Sequence, residues 1–164
     1  MPDLPPPTLR LGPAPFRVAG SGVAFPADEV ATAELIDRLA AELPASRRRA
    51  LASFVDAEVG VRTRAHLASG DARDLGVLAA RDALAEADVP VPSAIVYATS
   101  TPSRWTAAES ALLARDLGLS CAFFDVRSGC TGGLHAIVHA ARLVRDTGAP
   151  VLVVAADAFS KTFG

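Results

Sequence analysis

Three short runs, "AIVYAT" (Ala94–Thr99), "CAFFDV" (Cys121–Val126) and "PVLVVAADA" (Pro150–Ala158), are apolar almost throughout. A strand with one wet face alternates apolar and polar residues. Strands without that alternation are buried on both faces, as in a parallel sheet covered by helices. Helical patterns separate the runs: "TAAESALLARDLG" (Thr106–Gly118), and the segment from Cys130 to a stop at Gly148. Strand and helix in alternation predict an α/β fold. Upstream, "FRVAGSGVAFP" (Phe16–Pro26) reads as a strand running into a Gly/Pro loop. Helices are expected over Thr32–Leu43, ended by Pro44, over Arg47–Gly60, and over Arg73–Asp88. In the last of these Leu75, Leu78, Ala79 and Ala83 share a face. Thr106 and Glu109 have the spacing of a capping box, and Gly118 that of the residue ending its helix.

The chain has 164 residues, the length of one domain, and 51% of them are hydrophobic, so it buries a large apolar surface. No uninterrupted apolar stretch reaches the roughly 18 residues of a membrane span. "MPDLPPPTLRLGPAP" (residues 1–15) lacks the basic and apolar regions of a secretory signal and reads as a flexible Pro-rich tail ahead of a folded unit over 16–164. A net charge of −2 and 5% aromatic residues give no basis for binding nucleic acid or an anionic membrane. Cys121 and Cys130 make no disulfide framework, which fits a reducing cytoplasm.

"DVRSGCTGG" (Asp125–Gly133) places Cys130 where a strand turns into a helix. A helix start stabilises a thiolate through unpaired N–H groups and the helix dipole. Gly129, Gly132 and Gly133 leave room for a substrate carbonyl, and the Cys130 backbone N–H is a candidate oxyanion donor. Cys130 is therefore a candidate nucleophile; the other reading is a small residue capping the strand–helix join. Cys121, inside a strand, reads as core. The helix after Cys130 pairs small residues on one side (Gly133, Ala136, Ala140) with a broad apolar stripe (Leu134, Ile137, Val138, Ala141, Val144), so little of it suits open water.

His135 and His139 have the spacing of a helical metal pair, but no third ligand stands at suitable spacing, and polar packing or an interface role accounts for them better. No metal site is expected. "RRR" (Arg47–Arg49) suits phosphates or an acidic carrier protein, or simply a solvated helix start. The dinucleotide fingerprint Gly-x-Gly-x-x-Gly is absent from a strand–helix turn.

"FFDVRSGCTGGLHAIVHAARLV" resembles the nucleophile segment of the β-ketoacyl synthase III branch of the thiolase superfamily. "VAGSGVAFP", "GVRTRAHLA", "AIVYATSTPSRWTAAESALLARDLGL" and "APVLVVAADAFSK" resemble further segments in family order and spacing, covering about Phe16 to Gly164. The resemblance implies a thiolase-like N-terminal half: a mostly parallel five-stranded sheet, helices on both faces and a buried nucleophile helix. It implies that Cys130 accepts an acyl group from a thioester carried by acyl carrier protein or coenzyme A, with no bound cofactor. Decarboxylative Claisen condensation, or acyl transfer to an alcohol or amine, would follow. The histidine and asparagine that complete the family's condensation lie in its C-terminal half, so a second chain or missing segment is expected to supply them. The family also joins two copies through the strand at Cys121–Val126. The alternative is a non-catalytic subunit of a thiolase-fold complex.

Candidate substrate contacts are Phe54, Trp105, Thr106, Gly132 and Gly133; Trp105, after the "TSTPSR" turn, lines a cavity or an interface. Phe54 and Glu58 stand where the family often has a tryptophan and an arginine at the entrance. A glutamate there disfavours the phosphates of coenzyme A and leaves a carrier-protein thioester less affected. Thr106 replaces a bulky apolar residue at the dimer side of the acyl pocket, and "GCTGG" replaces the more usual "ACAGF".

Overall fold

A computed structural model describes residues 16–162. The expected tail over 1–15 lies outside them. In chain order the elements are β1 (Glu29–Ala31), α1 (Thr32–Leu39), α2 (Ala45–Phe54) running into a π-turn (Val55–Val59), β2 (Thr63–Ala65), α3 (Ala72–Glu86), β3 (Ala94–Ala98), α4 (Glu109–Leu117), β4 (Ala122–Val126), a 3-10 turn (Gly129–Thr131), α5 (Gly132–Thr147), β5 (Val151–Ala155) and a 3-10 turn (Phe159–Lys161).

The three apolar runs form one parallel sheet in the order β4-β3-β5, with Tyr97 opposite Asp125 on one side and Val154 on the other. β3 is the centre, and all five of its residues are buried. Its alternate side chains build two cores. Ile95 and Tyr97 pack with Val77 and Ala80 of α3 and Leu113 and Ala114 of α4. Val96 and Ala98 pack with Ala136 and Ala140 of α5. Burial pushes the Tyr97 phenol pKa up, and nearby Glu109 adds to the rise. This is the expected α/β arrangement with helices on both faces.

Among the described residues the parallel sheet has three strands, where five were expected. β1 and β2 pair antiparallel as a separate three-residue ribbon. The strand expected within Phe16–Pro26 does not form; that segment runs over α3 instead. The reason is close approach. A Cβ on Gly20 would stand 2.2 Å from the carbonyl oxygen of Ala83, and one on Gly22 2.0 Å from that of Ala79. Glycine is what lets the two backbones meet. Between this segment and the outer edge of β5 lies a groove of about 620 Å³ lined by Phe16–Gly22, α3, Ile137, Val144 and β5.

Helix boundaries and faces also differ from expectation. α1 ends at Leu39, and Pro44 becomes the N-cap of α2. α3 is closed at its start by a reciprocal box, with Asp71 N–H donating to Asp74 at 2.8 Å. It buries Ala72, Gly76, Val77 and Ala80, while Leu78 is 52% exposed. Small residues win this face because the sheet lies close: a Cβ on Gly76 would meet Val154 Cγ1 at 3.2 Å.

Replacing Gly22 with alanine should displace the 16–26 segment from α3 and cost about 1–3 kcal/mol. A denaturant melt of the assembled protein checks this; an unchanged midpoint would show that the segment does not rest on α3.

Candidate active site

The carboxyl ends of β3, β4 and β5 lie side by side, which is where open parallel sheets place ligands. Three connections leave from there: the loop after Thr99, the turn after Val126 and the segment after Ala155. Two carboxylates hold the loop after Thr99, one of them from the segment after Ala155. Asp157 Oδ1 accepts from Ser100 N–H (2.6 Å), Thr101 N–H (3.0 Å) and the hydroxyls of Thr99 and Thr101 (both 3.0 Å). Glu109, only 1% exposed, accepts from Ser103 N–H (2.5 Å), Ser103 Oγ (2.7 Å) and Arg104 N–H (3.2 Å), and pairs with Arg73 at 3.1 Å. Burial works against the Arg73 charge, but its bonds to Glu109 and Asp116 outweigh that and raise its pKa.

These bonds overturn the capping box at Thr106. α4 begins at Glu109 itself, Thr106 is exposed, and the helix start is capped from across the sheet. Asp125 accepts from the N–H groups of Glu109 and Ser110, both at 2.9 Å. Gly118 ends α4 as expected, with φ +69°.

After β4 the chain turns sharply. Gly129 has φ +57°, a conformation that favours glycine, and Cys130 follows on the 3-10 turn that leads into α5. Thr131 Oγ1 donates to the Ser128 carbonyl at 2.8 Å, and Ser128 Oγ lies 2.8 Å from His135 Nδ1. Cys130 is exposed. Gly132 and Gly133 face the sheet: Cβ atoms there would each lie 3.5 Å from a methyl, that of Ala98 or of Ala155. A Cβ at either position would make ordinary contact with the sheet, on the side away from the open turn.

The expected buried nucleophile helix is corrected to a half-buried one. Ala136, Ala140 and Ala141 pack on the sheet, whereas Leu134 is 67% and Ile137 49% exposed. The small side of α5 therefore meets the sheet and not a partner helix. Leu143 packs against the sheet-side cluster, whereas Leu134 and Ile137 stay open.

Of the other expected contacts, Trp105 is 88% exposed at the tip of the loop held by Glu109, and Arg127 ties that loop to the end of β4 through the Arg104 carbonyl (3.4 Å). Phe54 is 57% exposed at the end of α2, a helix packed on α1. His139 stands edge-on to Phe124, with ring centres 6.0 Å apart. Among the described residues no cluster of His, Cys, Asp or Glu is arranged to hold a metal. Sequence reasoning missed Asp157, the Arg73–Glu109 pair and the Ser128–His135 contact. Their partners lie 7 to 58 residues apart, and no local spacing marks them.

The fold and the turn at Cys130 define a thiolase-fold α/β half. No family model matches the chain. It is 34% identical over 114 residues to β-ketoacyl-[acyl-carrier-protein] synthase III of Paracoccus denitrificans, covering 66% of this chain and 35% of that protein. To the enzyme of the same name from Rhodospirillum rubrum it is 31% identical over 150 residues, covering 88% and 44%. Its fold matches 3-oxoacyl-(acyl carrier protein) synthase III from Pseudomonas aeruginosa PAO1 with TM-score 0.74 and 28% identity, over 88% of this chain and 44% of that one. The priming β-ketosynthase of the R1128 polyketide pathway matches with TM-score 0.75 and 29% identity, over 94% and 45%. The chain is β-ketoacyl-[acyl-carrier-protein] synthase III-like, corresponding to the N-terminal half, and spans less than half the length of these relatives.

Burial pushes the Cys121 thiol pKa up. Iodoacetamide near neutral pH should therefore label Cys130 well before Cys121, read by peptide mapping. Faster labelling of Cys121 would overturn this order.

Proposed function

We propose that this chain is the acyl-accepting half of a β-ketoacyl synthase III-like condensing enzyme or acyltransferase. The observation that carries the reading is the exposed Cys130 on a glycine-turned strand–helix junction, at the carboxyl edge of a parallel sheet. The Cys130 thiolate attacks a thioester carbonyl; the C–S bond of the donor breaks and the acyl group rests on Cys130. Its transfer to a decarboxylated malonyl unit, or to an alcohol or amine, is completed by a histidine and an asparagine from a C-terminal half. Glu58 at the expected entrance favours a carrier-protein thioester over coenzyme A. Similarity to β-ketoacyl-[acyl-carrier-protein] synthase III and to a priming β-ketosynthase of a polyketide pathway supports a role in fatty acid or polyketide synthesis. Among the described residues no helix is long and apolar enough to cross a membrane.

Incubated with an acyl thioester, the chain should gain the mass of one acyl group on Cys130, and the Cys130→Ala variant should lose that adduct. An unmodified chain would leave the non-catalytic subunit as the better reading.

Two open surfaces support the proposed assembly. Leu134, Ile137 and the groove along β5 suit cover by a second half. The free edge of β4, with Phe123 48% exposed, suits pairing with a second copy, since an open apolar edge invites strand addition. Expressed alone, the chain should aggregate or bind hydrophobic dye, and co-expression with a chain carrying the C-terminal half should rescue it. A monodisperse, cooperatively melting monomer would refute the two-half assembly.

A further inference from the structure

We propose that Ser128 and His135 form a second acyl-accepting dyad beside Cys130, taking an acyl group as an oxygen ester. The inference rests on the reading of this site as one that handles acyl thioesters, but not on Cys130 being the nucleophile. Its basis is a contact with no structural duty evident around it. Ser128 Oγ lies 2.8 Å from His135 Nδ1, within the range of a nucleophile–base pair. With the imidazole proton on Nε2, the hydroxyl donates to the Nδ1 lone pair, which is the arrangement that activates a serine.

Two features hold the pair in place. The Ser128 carbonyl is fixed by Thr131 Oγ1 at 2.8 Å. The turn continues through the left-handed Gly129. Ser128 is half-buried and His135 exposed, so a donor can reach both. The start of α5 has no side-chain cap; Gly132 N–H donates to the Gly129 carbonyl, and the N–H groups after it suit a carbonyl oxygen gaining negative charge.

The step balances within the chain and its thioester. Ser128 Oγ bonds to the thioester carbonyl carbon while its proton passes to His135 Nδ1. The carbon–sulfur bond then breaks, and the departing thiolate leaves as a thiol with a proton from the imidazolium. The product is an acyl-Ser128 ester, and neither oxidant nor reductant is consumed.

The test uses the full 164-residue chain, in whatever assembly it purifies, with the hexanoyl thioester of N-acetylcysteamine. Neutral hydroxylamine strips acyl groups from cysteine and spares oxygen esters. The expected result is a hydroxylamine-resistant adduct on the peptide containing Ser128. It should persist in Cys130→Ala, vanish in Ser128→Ala and form about 100-fold more slowly or worse in His135→Gln. A thermal melt of each variant confirms folding. Absence of a resistant adduct overturns the dyad, as does its persistence in Ser128→Ala or formation at the parent rate in His135→Gln. A resistant adduct without a labile one on Cys130 would instead sink only the Cys130 reading.

Discussion

The buried carboxylate of Glu109 organises the functional end of this molecule. A charge with 1% exposure is costly unless it is paired and hydrogen-bonded, and Glu109 is both. Arg73 reaches it from α3 and also bonds Asp116 of α4 at 3.0 Å. Arg73 holds Oε2, and Ser103 and Arg104 bring the loop after β3 to the other oxygen, Oε1. Two helices and the loop that presents Trp105 thus share one ion pair. Removing one member of such a pair strands the other, at a cost of about 3–5 kcal/mol. Asp125 completes the arrangement by capping the helix that Glu109 begins. The strand leading to Cys130 is thereby tied to the loop beside it.

α5 shows how packing distance sorts residues. Its small side lies on β3 and β5, where Ala136 is fully buried. Leu134 and Ile137 stand away from that side. Burial is worth roughly 25 cal/mol per Å² of apolar surface, so an exposed face with Leu134 and Ile137 favours association. The same helix start carries Cys130, so whatever covers α5 also decides what reaches the thiol.

Much of the fold was legible. The runs at Ala94–Thr99, Cys121–Val126 and Pro150–Ala158 announced a parallel sheet, but only the central run is buried throughout; β4, an edge strand here, has no fully buried residue. Gly118 and Gly148 marked helix ends, and both have positive φ. Cys130 stood out at its strand–helix turn. Other features were not legible. "FRVAGSGVAFP" has the composition of a strand, yet its glycines serve contact with α3. Glu109 three residues after Thr106 mimics a capping box, but its partners come from α3 and the preceding loop. Leu78 fits a helical stripe as well as Val77 does, and only the position of the sheet decides between them.

The sequence by itself determined the α/β class, the three sheet strands, the family resemblance and the location of the exposed thiol. These depend on hydrophobic period, glycine placement and motif order, all of which are local along the chain. Tertiary structure alone decided which side of α5 stays open, and that three of the described strands share the sheet while β1 and β2 pair apart from it. It also decided which oxygens Glu109, Asp125 and Asp157 offer to which donors, and that Ser128 meets His135. Those outcomes depend on the distances between elements brought together by folding, which spacing along the chain does not encode.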